Sequence, residues 1–478
     1  MTATLTARAP AAPMIDTLLL GQAGAVLLAA GLLVWPAFLN GYPLLFVDSA
    51  AYFRHLLDGA APWDKTAAYG PFLALFDQGI TLWGPLGAQG LILSVLLWLT
   101  QHLALGRVTS RGHLLLATGL AALTAQPWFS ATLMPDFFTP VVVLCLYVLG
   151  FGEARLGRWT LAGVALLGTL AIAVHLSHLP TACALVLLVG LLRRQWGPLL
   201  RTALPIAAAL VLLLGANWHA FGRPTLSAHG AVFLLARLQD DGPAVATLRD
   251  RCPQMPAAAR WHLCGFLDRL PMDSDLFLWT PESPVNRNPD GTHRLTGNER
   301  LAPEAGAIVG ATLRAYPLQV AQAMAGNTLT QLFRAWVGDT HDAADLGAFP
   351  EDILPRGFPP RELRAFLDGA QWRGDLEALA APFLRPHAPV LVLSAVLALA
   401  GWWRLAAGGD RQRLGFVLCV LVALAGNAFA TGALSKPHAR YQARIVWLLP
   451  MAAALAFWPR GAALPGPGAH LLDRRDPG

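Results

Sequence analysis

Long apolar runs without a single charge recur along this chain, and they restrict its fold more than any other feature. Residues 137–151 read FFTPVVVLCLYVLGF and residues 202–216 read TALPIAAALVLLLGA. Runs of this kind bury in lipid or in a very large apolar core. Composition favours lipid: the chain is 55% hydrophobic and 13% charged, against roughly 25% charged in soluble domains, with a mean hydropathy of +0.48. A soluble globular enzyme, a disordered chain and a coiled coil are all poor fits to these values. The net charge of +6 does not point to nucleic acid, because the basic residues are scattered through short loops and form no stripe.

Reading apolar windows places ten spans near 18–39, 88–105, 113–125, 137–151, 161–174, 179–192, 202–216, 389–405, 414–430 and 445–458. The expected fold is an all-α polytopic membrane protein of about ten transmembrane helices, with a large extracytoplasmic region of mixed or α structure. An N-terminal membrane module at 1–216, of about seven helices, carries a first outer loop at 40–87 with interfacial helices. An extracytoplasmic region at 217–387, a C-terminal module of about three helices at 388–460 and a cytoplasmic tail at 461–478 follow. The N-terminus lacks a cleavage-site pattern, so the first apolar run is kept as a helix. Arg107 and Arg111, Arg155 and Arg158, Arg193, Arg194 and Arg201, and Arg404, Arg411 and Arg413 fall in alternate short connections. The positive-inside rule places these in the cytoplasm of a bacterial inner membrane, with the first outer loop facing out.

Lys436, Arg440 and Arg444 break that rule by lying on the outer side, which asks for another reason, such as an anionic ligand. Lys65 and Lys436 are the only lysines among 35 basic residues. Cys252 and Cys264 lie in the long polar region with no second pair to suggest zinc, and a disulfide in an oxidising compartment is expected. No CxxC pair, HExxH, P-loop or GxGxxG after a strand occurs, which disfavours ATP-driven transport by this chain alone.

The candidate chemistry gathers at the outer ends of the runs. Asp48 precedes an amphipathic segment with Tyr52 on its apolar face and Arg54 and His55 on its polar face. It reads equally as a helix N-cap and as a carboxylate held at the membrane surface for acid–base work. Asp136, in Met134-Pro135-Asp136, has the same two readings. His175 and His178 suit hydrogen bonding in a turn or, with Asp48 or Asp136, a divalent metal. The connection carrying Lys436, His438, Arg440, Tyr441 and Arg444 places two arginines four apart, on one helical face, where they would clamp phosphate oxygens. The alternative is snorkelling arginines beside an interfacial tyrosine. Asp339, His341, Asp342 and Asp345 read as a solvated acidic loop.

Asp48 with its loop, Asp136 and the alternating topology resemble the GT-C superfamily of membrane glycosyltransferases, over about the first 215 residues. No subfamily signature is matched. The resemblance implies transfer of a sugar from a polyprenyl-phosphate donor to a lipid, glycan or protein acceptor on the outer face. Asp48 would then be general base, Asp136 would orient the acceptor or hold a metal, and Arg440 and Arg444 would hold the lipid phosphate. A transporter or flippase for a lipid-linked sugar, and a ligase of lipid-linked glycans, are the competing readings.

Overall fold

The computed structural model describes residues 14–459, and all its regular elements are helical apart from two isolated β-bridges. The tail and the first residues read above lie outside this range. The N-terminal half comprises α1 (Met14–Leu32), α2 (Trp35–Asn40), α3 (Ser49–Asp58), α4 (Tyr69–Asp77), α5 (Trp83–Leu105), α6 (Ser110–Leu123), α7 (Gln126–Ala131), α8 (Phe138–Phe151), α9 (Arg158–Ala173), α10 (His178–Arg193) and α11 (Trp196–Phe221). Local chemistry sets several boundaries. Gly106 ends α5 in the left-handed conformation that glycine adopts without strain. Thr109 then caps α6 by accepting from the Gly112 amide at 3.1 Å.

A second unit follows, with α12 (Ala231–Asp240), α13 (Pro243–Arg251), α14 (Ser274–Trp279), α15 (Gly297–Ala315) and α16 (Pro317–Phe333). Its side chains, among them Val232, Leu235, Leu248, Phe277, Leu301 and Ile308, form a core separate from that of the bundle. Cys252 and Cys264 are joined there by a disulfide. The chain returns through α17 (Leu354–Gly357), α18 (Pro360–Leu367), α19 (Leu376–Leu384), α20 (His387–Gly408), α21 (Arg411–Ala428), a π-helical turn at Phe429–Ala433, α22 (Ala439–Val446) and α23 (Leu448–Phe457). Leu346, Phe349, Phe366 and Leu376 of this return stretch belong to the bundle core. The 217–387 stretch therefore feeds two cores.

α8 is the axis of the bundle: each of its side chains is buried, and α5, α9, α10, α11 and α21 pack around it. Polar contacts show which helix ends lie together. At one end Arg155 donates to carbonyls at the close of α5, Gln412 donates to Phe151 O at 3.1 Å, and Arg193 and Arg201 both reach Glu153. Arg413 donates to Ala104 O at 3.3 Å and Trp458 O at 2.8 Å. The arginines that alternate along the sequence are thus gathered at one end. Asp48, Asp136, His175, Arg440 and Arg444 lie at the other.

The expected ten spans are corrected to four. Trp83–Leu105, Trp196–Phe221, Leu376–Gly408 and Arg411–Ala433 are the described helices long and apolar enough to cross a membrane, and the chain is a multi-pass membrane protein on that ground. Gly21–Leu32, Pro135–Phe151, Arg158–Ala173 and His178–Arg193 are apolar but shorter. A helix of 14 residues, such as α6 or α8, rises only ~21 Å, short of a hydrocarbon layer ~30 Å thick. Window reading fails here because apolar content reports burial, and α8 is buried by protein on all sides. The last expected span, 445–458, is interrupted at Trp447, where α22 gives way to α23. The GT-C-like topology rested on the ten-span count and falls with it.

Close packing of α1 on α5 depends on Gly90, where an added Cβ would lie 2.6 Å from Ala30 O. Gly90→Val should cost about 1–3 kcal/mol and lower the melting temperature in detergent. Gly119→Ala in α6, with nothing within 4 Å of its Cβ position, should leave it unchanged or raise it. Equal effects would show that α1 and α5 do not pack at this distance.

Candidate functional site

Two loops with little regular structure carry the central carboxylates, and backbone pairing fixes both. Leu44 N donates to Ala131 O at 3.0 Å and Leu133 N donates to Leu44 O at 2.9 Å, forming a parallel bridge between the Asp48 and Asp136 loops. Ser49 Oγ adds a bond to Leu133 O at 2.6 Å. Behind them, buried Glu362 accepts from Tyr42 Oη at 2.9 Å and from Leu82 N at 3.1 Å. Gln371 accepts from Leu45 N at 3.1 Å and donates to Leu45 O at 2.8 Å. The return stretch therefore clamps the first loop against the bundle.

Neither aspartate acts as a helix cap: Asp48 makes no side-chain cap bond to α3, and among the described residues the Asp136 carboxylate bonds only Arg444. Each instead meets an arginine of α22. Asp48 Oδ2 lies 3.2 Å from Arg440 Nη2, and its Oδ1 lies 3.2 Å from Lys65 Nζ. Asp136 Oδ1 is contacted by Arg444 Nη1, and both partners are sealed from solvent, at 3% and 0% exposure. Arg444 also donates to Ser177 Oγ at 3.1 Å and to Asn427 Oδ1 at 3.0 Å. The i, i+4 spacing does place both arginines on α22, and Tyr441 stands between them, its ring centroid 4.9 Å from the Arg440 guanidinium and 5.2 Å from that of Arg444. Phe46 covers Arg440 at 4.4 Å.

These contacts overturn the phosphate clamp. Lys65, Arg440 and Arg444 are already paired with carboxylates, and Asp64 and Asp339 add two more acids: Lys65 bonds Asp64 as well, and the Arg440 amide donates to Asp339 Oδ2 at 3.1 Å. Each cation of the cluster is met by an aspartate, so among the described residues no free positive charge awaits a phosphate there. Lys436 and His438 lie apart from it. Lys436 Nζ bonds Asp273 at 2.6 and 2.7 Å and Asp275 at 2.8 Å, with His438 Nε2 3.3 Å from Asp275, tying α14 to the connection before α22. Arg54 pairs with Asp352 at the surface, and His55 meets Ala60 O at the end of α3. Tyr52 is buried against Tyr69, with ring centroids 5.0 Å apart, within electrostatic reach of Asp48, Asp64 and Asp136.

The histidines divide as well. His178 Nδ1 donates to Ala171 O at 2.6 Å and its Nε2 pairs with Thr139 Oγ1 at 2.8 Å, which occupies both nitrogens. His175 Nδ1 accepts from Ser177 N at 3.2 Å and lies 2.8 Å from Ser177 Oγ, leaving Nε2 to carry its proton beside the cluster. Among the described residues no group of three or more His, Cys, Asp or Glu side chains is placed to hold a metal ion. The divalent metal considered from sequence has no ligand set there.

Burial alone would raise the Asp48 carboxyl, but Lys65 and then Arg440 override it and hold it below the usual 3.8. Lys65 is lowered by burial but raised on balance by Asp48 and Asp64. Three buried polar atoms of the cluster have no partner among the described residues: Asp136 Oδ2, Arg440 Nε and Arg444 Nε. Lys65, Asp64, Ser177, Asn427 and Asp339 are members that sequence reasoning did not assign. For Lys65 a signal existed, since it is one of only two lysines in the chain.

No protein-family model, curated protein or solved structure matches this chain. The GT-C resemblance is accordingly withdrawn, with four spans instead of ten and its phosphate clamp consumed by internal ion pairs.

Breaking a buried ion pair costs about 3–5 kcal/mol, whereas replacing both members with apolar groups is often neutral. Asp136→Leu and Arg444→Met should each sharply lower thermal stability in detergent, and the double variant should recover most of the loss. Additive losses would mean that the two residues do not act as a pair.

Burial and the Arg444 charge push His175 down to about 3, and burial pushes His341 down to about 4. Below the ordinary value of 6.5 the unfolded chain binds protons that these folded-state rings refuse. Stability should therefore fall as pH drops from about 6.5 toward 4, and His341→Phe should flatten that slope in melting curves. An unchanged slope would exclude His341 as a contributor.

Proposed function

We propose that the cluster binds a neutral, hydroxyl-bearing ligand at the end of the bundle opposite the arginine-rich end. The carrying observation is the part-exposed Asp48 carboxylate with three buried polar atoms behind it that lack a partner among the described residues, an acceptor at Asp136 Oδ2 and donors at Arg440 Nε and Arg444 Nε. An unsatisfied buried polar group costs about 1–3 kcal/mol. A hydroxyl both donates and accepts, so one such group can meet a carboxylate oxygen and a guanidinium N–H together. Cations that are already met by carboxylates support a neutral ligand over an anionic one. Asp48, 30% exposed and held ionised by Lys65 and Arg440, is the acceptor a ligand hydroxyl would reach first.

Two independent features support an outward-facing site in a plasma membrane. Exposed arginines at the opposite end fit the cytoplasmic side. The Cys252–Cys264 disulfide lies in the unit tied by Asp273 and Asp275 to the segment leading into α22, and a disulfide fits an oxidising compartment.

Melting temperatures in detergent free of sugar headgroups should rise with millimolar glucose or myo-inositol, more than with their phosphates. Asp48→Asn, which keeps shape but loses charge, should remove most of that rise. Stronger stabilisation by the phosphates, or a full rise in Asp48→Asn, would contradict the proposal.

A further inference from the structure

At the arginine-rich end, several arginines lack an acidic partner among the described residues. Two acids there are engaged: Glu153 is shared by Arg193 and Arg201, and Asp410 lies 3.4 Å from Arg413. Arg107, Arg111, Arg158 and Arg194 are exposed, with no acidic partner among the described residues. Two of them stand at the starts of neighbouring helices. α9 and α11 pack side by side and, with α10 running back between them, both begin at this end. Arg158 opens α9, and Arg194 lies two residues before α11.

Each of these helix starts also carries an outward tryptophan. Trp159 and Trp196 are both 77% exposed, and Arg158 lies over the Trp159 ring at 5.2 Å from its centroid. Farther along the same helices Leu166, Leu200 and Leu204 are exposed, and α11 is one of the four membrane-length helices. Apolar residues, then tryptophan, then unpaired arginine is the order met on passing from hydrocarbon through the interface to the headgroups. A soluble anion would use the arginines but leave both indoles and the leucines below them unexplained.

We propose that the α9–α11 end is a binding surface for anionic phospholipid headgroups, with Arg158 and Arg194 pairing the phosphate or carboxylate charge and Trp159 and Trp196 seated at the interface. This surface is independent of the carboxylate cluster at the far end.

The test places the full chain in nanodiscs of phosphatidylcholine alone or with phosphatidylglycerol, and also measures phosphatidylglycerol retained in native mass spectra from detergent. Wild type should melt higher with phosphatidylglycerol. Arg158→Gln/Arg194→Gln should lose that gain and retain roughly 25-fold less lipid, at about five-fold per arginine near an anionic surface. Asp48→Asn should keep the whole gain, so failure here and failure of the hydroxyl-ligand site are read separately. Trp159→Ala, which leaves both charges in place, should lose part of it. Equal melting in the two lipids, or an undiminished gain in the double arginine variant, would overturn the proposal. So would inorganic phosphate reproducing the gain in phosphatidylcholine, since that assigns a soluble anion.

Discussion

The contact between Arg444 and Asp136 governs the carboxylate end of the molecule. Both groups are removed from water, and moving such charges into a low-dielectric interior costs several kcal/mol per ion unless each is met by charge and hydrogen bonds. Ser177 and Asn427 complete the guanidinium shell on one side, which orders the turn before α10 and the end of α21 around α22. The Asp136 carboxylate is in turn fixed by the bridge to the first loop, which presents Asp48 to Arg440. One helical turn of α22 thereby connects two sequence-distant loops. Apolar residues would fill the same space at less electrostatic cost, so charge held in this position fits the proposed site, which would offer polar atoms to a ligand.

The two lysines follow the same logic. Lys65 is held between Asp48 and Asp64, and Lys436 between Asp273 and Asp275. The first closes the cluster and the second fastens the disulfide-bearing unit to the segment leading into α22. Both are flexible ammonium groups serving two carboxylates at once, a task suited to a compact charge with several rotatable donors. Lys436 therefore stands apart from the gathered arginines for a structural reason, and no ligand is needed to explain it.

How much of this was legible in the sequence depended on the range of the interaction involved. Helical content, a multi-pass character and the gathering of arginines at one end follow from local apolar runs and alternating charge. The number of spans did not follow, because apolar content alone cannot tell a helix wrapped by protein, such as α8, from one wrapped by lipid. Asp48, Asp136, Arg440 and Arg444 stood out as polar groups beside apolar runs, and they do meet in space. Their roles did not emerge, since pairing across more than 300 positions leaves no local trace. An arginine that breaks the charge rule looks the same whether it awaits a phosphate or already holds an aspartate. Arg54 and His55 illustrate the converse: Arg54 pairs with Asp352 and His55 meets Ala60 O, and neither pairs with a member of the cluster.

The most direct test of the central claim is an experimental density map of the full chain in nanodiscs, resolved well enough to place ordered waters and ligand hydroxyls. The unpartnered oxygen of Asp136 should be met by density from a water or a ligand hydroxyl, with Asp48 still paired to Lys65 and Arg440. A carboxylate turned to meet Arg444 through both oxygens, closing the space with no density beside it, would contradict a ligand site there.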